Sequence, residues 1–113
     1  AYRRAANIVR IEEKKDNKRY SGQPKKEQLE AFEAETLLIA LEKAEKSSLM
    51  ATADEDFVAS MSALSALRAP VDTFFEAVTV NTDKADVRTE RLNLLSKIVR
   101  TVNRVADFSK IDG

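Results

Sequence analysis

Arginine and lysine are the residues of this chain whose spacing most resembles a working surface. Arg3, Arg10 and Lys14 stand seven and four residues apart, so a helix would set them on one face, with Arg4 beside them. Lys84, Arg88 and Arg91 repeat the pattern at steps of four and three, and Arg100 and Arg104 follow. Rows of fixed cations contact phosphates, and they also occur as plain solvated helix edges. On charge alone the solvated edge is the default reading. The adjacent pair Phe74 and Phe75 could stack unpaired bases. Neighbouring helical residues diverge by about 100°, so one ring of the pair could be partly exposed, but packing of both into the core is the preferred reading.

Catalytic chemistry is poorly supplied. The chain has no histidine and no cysteine, which removes imidazole bases, thiol nucleophiles, disulfides and the usual zinc sites together. Two glycines cannot build a phosphate-cradling loop. The dense carboxylates are Glu12 with Glu13, Glu33 with Glu35, and Asp54-Glu55-Asp56. A general acid–base pair needs contrasting environments within a cleft, whereas these are expected on solvent faces or helix caps. No spacing suited to magnesium or calcium is present. The sequence therefore predicts a chain with no catalytic residues, no metal site and no cofactor of its own.

The elements that would carry these residues are helical. A length of 113 residues suits one domain over 1–113, and 43% apolar content supplies one modest core. Two glycines, two prolines and no tryptophan argue against an all-β fold. The expected class is all-α, a compact bundle of about five helices. The first runs from Ala1 to about Asp16 and ends in a polar loop through Gly22. The second runs from Pro24 to Lys46, with Leu29, Phe32, Thr36, Leu37, Ala40, Leu41 and Ala44 inward, and stops at Ser47-Ser48. Thr52-Ala53-Asp54-Glu55 has the form of a capping box for a third helix bearing Phe57, Met61, Leu64 and Leu67. Ala69-Pro70 is expected to break that helix, and Pro70 to start a short fourth with Val71, Phe74, Phe75 and Val78 inward. Asp83 is placed to cap a long last helix, central to the bundle, that carries Val87, Leu92, Leu94, Leu95, Ile98, Val99, Val102, Val105 and Phe108.

Net charge is zero but segregated. Residues 1–26 hold nine Lys/Arg against three acids, while residues 27–56 hold nine acids against two lysines. A neutral total disfavours indiscriminate polyanion binding, yet the basic end leaves one face for it. The longest apolar run, Leu37 to Leu41, is too short to cross a bilayer, so no membrane partner is expected. With no cysteine, signal peptide or Asn-x-Ser/Thr sequon, a cytoplasmic location is expected. The chain begins without methionine and inside a helical pattern, which reads as a piece of something longer.

Four words of sequence then stand in order: Arg-Arg-Ala-Ala-Asn-Ile-Val (3–9), Ala-Leu-Arg-Ala-Pro-Val-Asp-Thr-Phe-Phe-Glu-Ala-Val-Thr-Val (66–80), Arg-Thr-Glu-Arg-Leu-Asn-Leu-Leu (88–95) and Arg-Val-Ala-Asp-Phe-Ser (104–109). Together they resemble the DALR anticodon-binding domain, in the form found at the C-terminus of bacterial glycyl-tRNA synthetase β subunits. Related words occur in the anticodon domain of arginyl-tRNA synthetases; the ending Arg-Val-Ala-Asp-Phe-Ser and the Asn7-Ile8 pair favour the glycyl family. The resemblance implies a module that docks the anticodon stem-loop of tRNA(Gly). Its partners would be the rest of the β subunit and the α subunit, in an α2β2 enzyme that uses ATP and magnesium at the α subunit's site. It further implies tRNA-binding candidates at Arg3, Arg4, Asn7, Arg10 and Lys14 on the first helix, and Arg88 and Arg91 on the last. Asn7 could equally tie two helices together. The remaining alternative is a structural bundle that contacts no RNA.

Overall fold

The computed structural model describes residues 2–112, without the side chains of residues 52, 57 and 106–112. Expectations for the side chains of Thr52, Phe57 and Phe108 lie outside the described residues. Five α-helices form among the described residues: α1 (Tyr2–Asp16), α2 (Phe32–Ala53), α3 (Phe57–Ser65), α4 (Arg68–Ala77) and α5 (Ala85–Asp112). A 3₁₀ turn, Lys26–Gln28, precedes α2, and no described residue is in a strand. The all-α expectation holds.

The long helix α5 is the centre of the bundle. It packs against α1, α2, α3 and the 3₁₀ turn, and every residue from Glu90 to Ile98 is buried. Leu92, Leu94, Leu95 and Ile98 are wholly excluded from solvent. Burial of each such side chain stabilises the fold by about 1.5–3 kcal/mol. A helix buried all round also buries polar groups, and these need partners. The Lys97 ammonium lies 3.3 Å from a Glu45 carboxylate oxygen and donates to Gln23 Oε1 at 3.1 Å. Thr101 Oγ1 donates to the Lys97 carbonyl at 2.9 Å. Glu90 accepts the backbone N–H of Lys25 at 3.0 Å, fixing the segment before the 3₁₀ turn onto α5.

Several expected boundaries move, each for an identifiable reason. Pro24 is buried in an extended approach, and Glu30 at φ 51° separates the 3₁₀ turn from α2, so α2 starts at Phe32. Phe32 itself is 78% exposed, and Thr36 is exposed as well, so the inner face is carried by Ala34, Leu37, Leu38, Leu41 and Ala44. Ser47-Ser48 does not stop α2. Ser48 is buried and its hydroxyl donates back to the Glu45 carbonyl, a bond that keeps a serine inside a helix. The helix ends instead at Ala53, and Glu55 beyond it takes φ 57° and lets the Asp56 N–H reach the Ala51 carbonyl at 2.7 Å, a Schellman-type closure.

Thr52 therefore lies within α2 and cannot be the cap of α3. Asp56 is that cap, its Oδ1 accepting the Ala59 N–H at 3.0 Å. Ala69 is helical rather than a breaker, because α4 already starts at Arg68. Pro70 sits in the first turn, where its missing N–H has no intrahelical partner to lose. Val71 and Phe74 are fully buried, Val78 is buried and Phe75 half-buried, as the pattern required. Met61, by contrast, is exposed while Leu64 and Leu67 face the core. Lys84, not Asp83, precedes α5 as the cap, its carbonyl accepting the Arg88 N–H at 2.9 Å.

Candidate nucleic-acid interface

Arg88 and Arg91 of the last helix turn inward, while Arg100 and Arg104 stay exposed. Arg91 is buried, and its guanidinium donates to three carbonyls: Leu29 at 3.0 Å, Thr79 at 2.6 Å and Glu30 at 3.3 Å. It ties the turn before α2 and the 78–80 segment to α5. Burial pulls its pKa down, but a guanidinium has range to spare and stays charged. Lys84 pairs with Glu30 at 3.0 Å across an exposed edge. The row predicted at 84, 88 and 91 is thus spent on internal contacts.

Arg88 sits at the centre of a cluster joining α1, the following loop and α5. It donates through Nη2 to Glu12 and, at 2.7 Å, to Asp16. Nη1 donates to the Tyr20 hydroxyl at 3.1 Å, and Nε donates to Asn81 Oδ1 at 2.8 Å. Glu12, expected on a solvent face, is buried here and matched by this cation. Tyr20 is buried too, and its hydroxyl donates to Asp16 Oδ2 at 2.6 Å. That bond, followed by those from Arg88, holds the Asp16 carboxyl below the usual carboxylate range. Burial, then the Asp16 carboxylate, pushes the Tyr20 phenol up.

This cluster shapes the outer surface. α1 ends with Asn17 at φ 53°, a left-handed closure that asparagine tolerates, and the Lys18 N–H returns to the Glu13 carbonyl at 3.2 Å. The chain then doubles back, Tyr20 plugs in, and its N–H donates to Glu13 Oε2 at 2.8 Å. Gly22 completes the approach to α5: a Cβ there would stand 3.3 Å from Asn93 Nδ2. The result is a groove of about 680 Å³ between α1, the 17–21 loop and α5. Its floor is Ala6, Val9 and Val99, and its walls carry Arg10, Lys14, Lys18, Arg19 and Arg100. The one acid in its lining, Glu13, is held by the Tyr20 N–H. Five cations around one concave surface focus a positive potential suited to a phosphate backbone.

Arg3, Asn7, Arg10 and Lys14 share the exposed face of α1, at the spacing the sequence predicted. Only Arg10 and Lys14 of these line the groove. Lys18, Arg19 and Arg100 were not among the sequence candidates, although they join these two; their only signal was the basic excess of the first 26 residues and the spacing along α5. Arg4 stands apart, its guanidinium 4.6 Å above the Phe75 ring. Among the described residues, no group of three or more His, Cys, Asp or Glu could hold a metal ion. None of the described helices is long and apolar enough to cross a membrane.

Comparison with known proteins finds relatives of this chain. The family model of the DALR anticodon binding domain matches residues 1–111. The glycine–tRNA ligase beta subunit of Rhodospirillum centenum is 52% identical over 114 residues, covering all of this chain and 16% of that protein. The proteins of the same name from Cereibacter sphaeroides and Paracoccus denitrificans are 47% identical over 114 residues and 42% identical over 111. This chain covers 99% and 98% of its own length in those two alignments, and again 16% of each relative. It therefore spans about one sixth of the length of the curated relatives it matches. No solved structure matches it.

Proposed function

We propose, since this chain belongs to the DALR anticodon binding domain family, that it docks the anticodon stem-loop of a glycine tRNA as the single anticodon-binding domain of a glycine–tRNA ligase β subunit. The observation that carries this reading is the groove walled by Arg10, Lys14, Lys18, Arg19 and Arg100. RNA loops are bound through phosphate contacts and through splayed, unpaired bases. The groove supplies the first of these, with Arg3 and Asn7 extending it along α1. Arg88 and Arg91 are left out of the RNA-contacting set because their donors are engaged within the fold. On this reading the domain holds tRNA and uses no cofactor itself. ATP, magnesium and glycine activation belong to the assembled cytoplasmic enzyme with its α subunit.

A packing role without RNA contact has its own motivation. Phe32, Ile39, Met50 and Val58 are exposed on α2 and α3, apolar surface suited to covering by the remainder of a longer polypeptide. The two readings separate in the full-length ligase. With Arg10→Ala and Arg19→Ala together, docking predicts a raised KM for tRNA and unchanged ATP-dependent glycine activation. Unchanged tRNA kinetics would leave the packing role alone standing.

A further inference from the structure

A second concavity, of about 410 Å³, lies between α1 and the segment that follows α4, and its lining includes Arg4, Glu12, Phe75 and Asn81. That volume falls within the range of small-ligand pockets. The wall is a rigid aromatic. Phe74 is fully buried and meets Phe75 edge-on, centroids 5.5 Å apart at 67°, which fixes the half-buried Phe75 ring in the pocket wall. The Arg4 guanidinium lies over the Phe75 ring, 4.6 Å from its centroid, where a second flat group could also stack. Arg4 is exposed, so a base stacking on Phe75 would take its place over the ring with the guanidinium beside it.

The polar edge of this pocket has a defined sense. Arg88 Nε can only donate, and it donates to Asn81 Oδ1 at 2.8 Å. The Asn81 amide is thereby oriented, and this exposed residue at the pocket's edge keeps Nδ2 as a donor. The Glu12 carboxylate, which would otherwise repel an electron-rich ring or a phosphate, is matched by Arg88. An aromatic platform, an exposed guanidinium and one oriented amide donor are the parts by which unpaired bases are held.

We infer that this pocket is a nucleobase subsite: one unpaired base of the bound RNA loop stacks on Phe75 and offers a ring-nitrogen or carbonyl acceptor to Asn81 Nδ2. The assignment rests on the RNA-binding reading above and extends it from backbone to base. The subsite and the basic groove flank α1 on two sides, and a helix is about 10–12 Å across, so one stem-loop can reach both.

The test titrates anticodon hairpins into the full-length ligase and into two variants. Phe75→Leu removes the stack while keeping an apolar side chain. Asn81→Asp keeps an acceptor for Arg88, replaces the amide donor with an acceptor and adds one negative charge. Phe75→Leu is expected to weaken binding about tenfold, the scale of one stacked base. Asn81→Asp is expected to change which base is preferred at one loop position. Both effects should vanish when that nucleotide is made abasic. Losses equal for intact and abasic hairpins, or no losses, overturn the subsite while leaving the groove. A wild-type ligase that binds no hairpin overturns the RNA-binding reading, and the subsite with it.

Discussion

Arg88 on α5 donates to the phenol oxygen of Tyr20 at 3.1 Å, and that phenol donates in turn to Asp16 at the end of α1. The loop carrying Lys18 and Arg19 is therefore positioned by a buried side chain that itself faces away from the groove. Arg88 neutralises Glu12 as well, so its removal strands a buried carboxylate. Arg88→Ala should destabilise the domain by about 3 kcal/mol in urea denaturation. Tyr20→Phe should cost only about 1 kcal/mol, the worth of the lost hydrogen bonds. It should nevertheless weaken hairpin binding, because the loop cations lose their anchor.

Arg91 makes a different prediction. Its fork satisfies carbonyls from Leu29, Glu30 and Thr79, three groups on two segments that a lysine cannot reach together. Arg91→Lys should lower stability by about 1–3 kcal/mol. Once corrected for the folded fraction, hairpin affinity should stay at the wild-type value. A loss of affinity at unchanged stability would place Arg91 at the RNA after all.

The relocated helix cap is equally open to measurement. Asp56→Ala should cost about 1 kcal/mol, since Asp56 accepts the Ala59 N–H. Glu55→Gly should be neutral or stabilising by up to about 1 kcal/mol, because Glu55 sits at φ 57°. Thermal denaturation of the two variants should therefore move the midpoint in opposite directions or move it for Asp56 alone.

The buried cluster also sets a pH signature. The folded Asp16 carboxyl has a depressed pKa. Its contribution is therefore complete above the unfolded value of about 4 and is lost as pH falls through the folded one. The Tyr20 phenol is raised, so its contribution is complete below about 10 and is lost as pH rises through the folded value. Stability should be level between about pH 5 and 9 and fall on both sides. Asp16→Asn should make the acid limb shallower, and Tyr20→Phe the alkaline limb, in denaturant midpoints taken across the range.

Much of the fold was legible in the sequence, and the reason is periodicity. Leu92, Leu94, Leu95 and Ile98 announce a helix buried on more than one side, and Val71 with Phe74 announces the short helix that precedes it. Helix ends were less legible because they depend on local bonds that residue type does not fix. Ser48 reads as a stop but bonds back to Glu45, and Pro70 reads as a start but lies in a turn begun earlier. The cationic rows were legible as rows, but not as inward or outward. Arg10 and Arg91 look alike in sequence; only the packing of Leu29 and Thr79 around α5 decides that one is a surface cation and the other a clamp. Tyr20 was hidden inside a polar loop, and with it went the signal that Lys18 and Arg19 are held in place.

On the RNA-docking proposal, the groove behind the Tyr20 anchor binds an RNA backbone. Its most direct test is the salt dependence of anticodon-hairpin binding for the wild type and for Lys18→Ala, Arg19→Ala and Arg100→Ala, singly and together. Each substitution should reduce the slope of log K against log salt by about 0.7–0.9, with folding stability changed by no more than about 0.5 kcal/mol. The triple variant should bind only weakly. Wild-type slope and affinity in that folded triple variant would show that RNA does not bind in the groove.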